Sequence, residues 1–441
     1  MKLVKKLSQR NEKGQVLVIL ALALVALFGF AGLAIDGTRV YEARRQNQST
    51  ADSAALTAAG VAQNVIKEAQ PDIFFCGDSP TALTRIASDQ GITSAQIAAK
   101  EDGIVLARYD ISTNGVTSFC GTDGKRTYMD FTAKVTTTTN TTFARVIGIN
   151  SLPSNAKATV RIYPYQSAAY GNAIASLSNT CGGVVFGGTS ITTIIKGGVF
   201  SNSCIDGNGG PQVDVQTGKI LYNTTYTPPT SAGGFLSPAP QQTTNKLADS
   251  GLVGDPKCPA SGYSAPPSVG TANPGNYTGI KVNANDSLTL APGRYCLKGN
   301  LDVGANGTLI ANGVTFVFVT GSTSFNGTAN LNLSAPVCPV GDKYCVPTGF
   351  TEDTKFLKGV LMYMVEGNTS TITLNGSSTN DYKGLIYAPD GYVKINGTSD
   401  SKTFNTQIIA WNVTIEGNAS LSMDQISDDT FHYQSSVEVR K

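Results

Sequence analysis

The chain has 441 residues and only 15% of them are charged, against about a quarter in an ordinary soluble domain. Thirty-three Lys and Arg nearly cancel thirty-one Asp and Glu, leaving a net charge of +2, which argues against nucleic acid as a partner because phosphate neutralisation needs clustered cations. The single histidine, His432, argues against a Ser-His-Asp triad, a Cys-His dyad and histidine metal sites, and no cofactor is expected.

Residues 1–13 form a basic end with Lys2, Lys5, Lys6, Arg10 and Lys13. Residues 14–35, GQVLVILALALVALFGFAGLAI, carry no charge. Crossing ~30 Å of hydrocarbon takes ~20 apolar residues at ~1.5 Å each. The stretch therefore predicts a single transmembrane helix in a lipid bilayer, built on Val16, Leu20, Leu24, Leu27, Phe28 and Ile35. Gly29 and Gly32 lie in the same span and permit close helix packing. A cleaved signal peptide is the competing reading, but its apolar region runs only ~7–15 residues. Five basic residues before the span, against Arg39, Arg44 and Arg45 after it, place the N-terminus in the cytoplasm. All eight cysteines follow the span: Cys76, Cys120, Cys181, Cys204, Cys258, Cys296, Cys338 and Cys345. An even count beyond a membrane suggests disulfides in an oxidising compartment. Sequence neighbours are the expected pairs, most firmly Cys338 with Cys345, and the bulk of the chain is expected outside the membrane or at the cell surface.

Residues 36–66 lack proline and are rich in Ala, which predicts a membrane-proximal helix. Val40, Asn47, Ala51, Ala54, Ala58 and Val61 fall on one face and form a stripe of mostly small residues. Two readings stand side by side: the stripe packs on a partner helix, including self-association, or on the chain's own ectodomain. The blocks Ala-Ile-Asp-Gly (34–37), Arg-Val-Tyr (39–41), Ala-Arg-Arg-Gln (43–46) and ADSAALTAAG (51–60) resemble the N-terminal region of TadG-like proteins of the Tad/Flp tight-adherence pilus system. Residues 142–150, TFARVIGIN, are similar to the end of that family's first extracytoplasmic domain. The resemblance covers about the first 165 residues and implies pilus-assembly proteins or pilins as partners. One departure matters. Pilins of this system are cut after a Gly with a Glu five residues on, and here Gly14 is followed by Gln15 and Ile19. The span is expected to stay as an anchor.

Residues 67–165 read as a small α+β domain, with a helix at 92–100 and strands at 127–135 and 156–162. From 166 onward short β-branched runs alternate with Gly, Asn, Ser and Thr. Ile372-Thr-Leu374-Asn-Gly recurs as Val393-Lys-Ile395-Asn-Gly and as Val413-Thr-Ile415-Glu-Gly, at steps of 20 to 21 residues. Such a repeat predicts a mainly-β, right-handed parallel β-solenoid, with these six residues in its core and Asn-Gly turns between strands. A β-sandwich is the alternative, since its strands are also closely spaced. First coils are placed at 166–224, a Pro/Gly-rich linker or excursion at 225–275, the main solenoid at 276–424 and a polar tail at 425–441, with no second span. Solenoids of this type can carry polysaccharide-active sites, which need carboxylates from adjacent coils. The acidic residues here sit singly in turns, so the expectation is a structural or adhesive ectodomain and not an enzyme. The alternatives are a cell-surface adhesin without a pilus role and, behind it, a polysaccharide-active enzyme.

Overall fold

Fifty-seven residues without a proline wind into one helix, α1 (Lys13–Ala69), in the computed structural model. The structure describes residues 13–69, 82–339, 345–375, 380–396, 404–417, 420–424 and 430–440, with Phe74, Cys76 and Asp342. The expected cytoplasmic end before Lys13 lies outside them. At ~1.5 Å per residue α1 is about 85 Å long, so the predicted span and the predicted Ala-rich helix are two halves of one rod. The first half stands uncovered: Leu17, Phe28 and Phe30 are 70%, 67% and 75% exposed. Its length and apolarity suit a bilayer.

The second half of α1 is covered by the chain itself. Helix α2 (Ala82–Glu101) starts ten residues before the helix expected from sequence. Strands β1 (Ala107–Arg108), β2 (Gly115–Thr122), β3 (Thr127–Asn140) and β4 (Ser151–Tyr163) form a sheet, parallel between β1 and β2 and antiparallel onward. Strict alternation along β3 turns Met129, Phe131, Ala133 and Val135 toward the helices, opposite Ala156, Ala158, Val160 and Ile162 of β4. Each large member of this row contributes ~1.5–3 kcal/mol by burial. The two helices nearly touch at Gly91, where a Cβ would stand 2.7 Å from the Ala58 carbonyl oxygen.

Beyond residue 166 the chain winds as a parallel β-solenoid, not a sandwich. Ile372, Val393 and Val413 stack in register, as do Leu374, Ile395 and Ile415, and all six are buried. Strands 280–282, 301–303 and 323–325 precede them on the same face. Between 323–325 and 371–375 the Thr323 hydroxyl carries the connection, donating to the Thr373 carbonyl and accepting its N–H at 3.0 and 2.9 Å. Asn306 adopts φ +52° in the turn before its coil, as its Asn-Gly sequence predicts. The turns at Gly376 and Gly397 lie outside the described residues.

The stacking order is not the chain order. Val413 and Ile415 pair onward with Val184 and Phe186, so the coils at 174–242 sit on the end of the coil at 405–424. From Gln242 the chain must return to the opposite end of the stack to begin the coil at 270. Residues 243–269 make that journey as a strap, narrower than the excursion expected at 225–275, because coil strands run to Gln242 and resume at Gly270. The strap lies on an outward apolar row that includes Phe200, Ile409, Tyr387, Tyr363 and Val317. Leu247, Leu252 and Val253 press into that row. Buried Asn202 holds the strap with both ends of its amide, accepting the Leu247 N–H at 2.8 Å and donating to the Leu247 carbonyl at 2.9 Å.

The expected polar tail needs correction, because residues 432–440 form strands. His432–Tyr433 pairs with Gln166–Ser167, and Ser436–Arg440 adds to β4 as the edge of the sheet that packs on α1. The chain therefore leaves that sheet at Tyr163 and comes back to the same strand after completing the solenoid. The four disulfides join sequence neighbours as expected: Cys76–Cys120, Cys181–Cys204, Cys258–Cys296 and Cys338–Cys345, with Cα separations of 4.7 to 5.9 Å. Cys258–Cys296 fastens the strap to a coil.

Candidate functional site

The residues singled out by sequence converge on the junction between the uncovered and covered halves of α1. Asn47, Ala51, Ala54 and Ala58 of the small-residue stripe are buried, and Val40 and Val61 are half-buried. Their cover is β3, β4 and α2 of the same chain, so the expected partner-helix stripe is occupied from within. Small residues serve here because a sheet and a second helix lie close against one rod. Asn47 supplies the polar fixing point, donating to the Thr137 and Ser154 hydroxyls at 2.9 and 2.8 Å.

Nearer the span, the two separated sequence blocks meet. Asp36, of the Ala-Ile-Asp-Gly block, is 2% exposed. Its carboxylate accepts the backbone N–H groups of Thr142, Phe143 and Ala144 at 2.8, 2.9 and 2.7 Å. These donors open the 3-10 turn Ala144–Ile147, whose N-terminal N–H groups have no partner within the turn. An aspartate from a distant helix thus caps the turn of the TFARVIGIN block. The Ala144 and Thr142 amides, chiefly, hold the Asp36 carboxyl below the usual carboxylate range. Arg39 adds a bond to the Thr142 hydroxyl at 2.6 Å. One turn toward the N-terminus, the Phe143 ring covers Gly32, where a Cβ would lie 2.5 Å from the ring. Gly32 is therefore a seat for the chain's own phenylalanine, whereas Gly29 has open space around it. Val16, Leu20, Leu24, Leu27, Phe28 and Ile35 are exposed along the rod.

Elsewhere, carboxylates find local partners. Glu416 pairs with Lys394 at 2.7 Å and Asp381 with Lys383 at 3.0 Å. Asp390 accepts the Gly367 N–H. Asp302 lies beside Lys281 on the neighbouring coil, and burial pushes its carboxyl up. Asp110 and Ser112 form a local turn, with the Ser112 N–H and hydroxyl donating to Asp110. Ser167 and His432 stand 2.9 Å apart, the contact a nucleophile and base would make. Ser167 is buried, however, and His432 Nδ1 donates to the Thr430 carbonyl at 2.8 Å while the ring stacks on Tyr165. The pair pins the returning chain to the start of the solenoid. Among the described residues no group of three or more His, Cys, Asp or Glu could hold a metal ion.

Sequence reasoning missed Asp36 and Phe143 as a lock, although both lie in the quoted blocks. The signal was an acidic residue directly after an apolar span, where a charge needs either water or a partner.

Residues 14–62 match the family described as Flp pilus-assembly TadE/G-like, and residues 268–430 match a domain of unknown function (DUF7305). No curated protein and no solved structure matches. The chain thus carries a TadE/G-like Flp pilus-assembly domain at its N-terminus and a β-solenoid behind it.

Proposed function

We propose that this chain is a membrane-anchored component of Tad/Flp-type pilus assembly or display, with its N-terminus in the cytoplasm and its solenoid outside the cell membrane. The observation that carries the reading is the TadE/G-like stretch itself: its apolar half is uncovered along α1, while its Ala-rich half is locked into a disulfide-bearing ectodomain. Since the stripe from Asn47 to Ala58 is occupied by the chain, the surface left for pilins or assembly proteins is the apolar half before Ile35 and the exposed outer face with Tyr41, Arg44, Arg45 and Leu56. The solenoid serves as a structural or adhesive body and not as an enzyme. Its carboxylates support this by pairing locally on Lys394, Lys383 and the Gly367 amide.

The test is deletion of the coding sequence in its own host, with surface pili counted and the chain's cross-linked partners identified in the wild type. Loss of pili, or pilins and assembly proteins cross-linked through position 20 or 27, supports the reading. Normal piliation with no pilin cross-link, together with glycan binding that the deletion abolishes, would leave an adhesin without a pilus role.

A further inference from the structure

We propose that the tip of the β3–β4 hairpin inserts into the outer headgroup layer of the membrane beside the span, so that the ectodomain grips the bilayer at two points. This rests on the reading of residues 14–35 as a bilayer span and adds a second lipid contact that nothing in that reading requires.

The tip carries Phe143, Val146, Ile147 and Ile149, which are 45%, 87%, 70% and 42% exposed. Single exposed hydrophobics are ordinary, but four within seven residues form a patch, of which Val146 and Ile147 are the most open members. Its height follows from the contacts already described. Thr137 lies level with Asn47, and Phe143 lies level with Gly32. From Thr137 the strand runs to Asn140 and three further residues reach Phe143, together at most about 20 Å. Fifteen helical residues span about 22 Å. The hairpin therefore runs alongside α1 toward the membrane, and it does not stop at the end of the span. Gly32 is three residues inside Ile35, so the Phe143 ring sits about 4.5 Å below the outer end of the apolar segment. Val146 and Ile147 project from the turn that follows.

The chemistry around the patch is that of a lipid interface. Arg145, between Phe143 and Val146, is exposed, as are Arg39, Arg44 and Arg45 on the first turns of α1 beyond the span. Long arginine stems lie along apolar surface while their heads reach phosphate. Tyr41, 70% exposed, stands about 9 Å beyond Ile35, where aromatic side chains with a polar end gather at membrane surfaces. Asp36, the carboxylate bonded to the tip, is 2% exposed and turned onto three backbone amides, so its charge does not face the arginines' side of the patch openly.

The test uses the full chain in nanodiscs of phosphatidylcholine and phosphatidylglycerol, in a Trp411→Phe background that removes the one native tryptophan. Single probes are placed by Ile147→Trp and Val146→Trp at the tip, Leu24→Trp in the span and Val105→Trp on the ectodomain. Amide exchange at Thr142–Ala144 verifies that the tip stays docked. The tip probes should emit at shorter wavelength than the Val105 probe. They should also be quenched several-fold more strongly by lipids labelled near the headgroup than by lipids labelled at the chain end. The Leu24 probe should show the reverse preference. Tip probes that aqueous acrylamide reaches and labelled lipid does not would overturn the proposal. Tip probes shielded from both would also overturn it and would point to a protein, including a second copy, on the patch. If only the tip probes fail, the span reading stands without this contact. If the Leu24 probe also escapes lipid quenching, both fall together.

Discussion

Phe186→Ala tests the least expected feature of the fold, the joining of the chain's first coils onto its last. Phe186 is fully buried, with Ile415 of the coil at 405–424 on one side and Gly207 of the next coil on the other. Phe-to-Ala changes in cores cost ~3–5 kcal/mol, the spread reflecting how far the surroundings collapse into the void. Here one neighbour is a glycine, which has no side chain to move, and a Cβ there would strike Pro229 at 2.8 Å. The void persists, so the cost should be about 4 kcal/mol. In a solenoid each coil is held mainly by its neighbours, so the loss should appear on both sides of the seam. Native-state hydrogen exchange of the full chain in detergent should show 184–188 and 412–416 losing protection together, by roughly a thousandfold. Residues 293–297 and 314–318, several coils away, should keep theirs. Loss confined to 184–209, with 412–416 unchanged, would refute the shared interface. A loss of under ~1 kcal/mol would refute the collapse argument.

Ile395→Asp should unfold the central coils, because the side chain is fully buried among Leu374 and Ile415 and a charge there has no partner; an unchanged melting curve would refute the inward assignment. Asp36→Ala should free the hairpin tip without disturbing the solenoid, read as faster exchange of the Thr142, Phe143 and Ala144 amides alone. The native lock should depend on acid. Hydrogen bonding lowers the folded-state pKa of Asp36, so its contribution is complete above the unfolded carboxyl's value and is lost as pH falls through the lowered one. Those three amides should therefore lose protection only on the acid side of the usual carboxylate range. Replacing Cys258 and Cys296 by Ser opens a loop of 38 residues and should cost about 4 kcal/mol, against about 2 for the 7-residue loop of Cys338 and Cys345. Chemical denaturation of the two double variants should rank them in that order.

The repeat at Leu374, Ile395 and Ile415 was legible because inward aliphatics recur at the coil length, and the structure stacks those residues face to face. The continuation of that ladder into 184–188 was also written in the chain. Val184-Val-Phe186-Gly-Gly188 has the spacing of Val413-Thr-Ile415-Glu-Gly417. It was not legible as a neighbour, because spacing along a chain carries no information about which repeats stack when the chain doubles back. The strap had a signal of a different kind. Runs such as VTFVF at 314–318 and VLMYM at 360–364 are buried at every position, as strands covered on both faces must be. Four residues of the helix stripe, Asn47, Ala51, Ala54 and Ala58, are buried, and their partner was not legible, since close packing selects small side chains whatever lies opposite. The tail was misread because its alternation at Ser436–Arg440 leaves Val437 and Val439 exposed, which looks the same in sequence as a strand with nowhere to go.

The return of the chain to β4 sets a clock on assembly. On the proposed topology the chain is exported from its N-terminus, and the coils at 174–242 cross the membrane before their stacking partner is made. That partner, residues 405–424, arrives more than 160 residues later, and only then do Ser436–Arg440 complete the sheet beside the membrane. Until residues 405–424 are made, the coils at 174–242 lack the strands on which they stack in the finished molecule. The four cysteine pairs suit that interval. None encloses another in the sequence, so each can close as soon as its own short stretch has crossed the membrane, without waiting for the end of the chain.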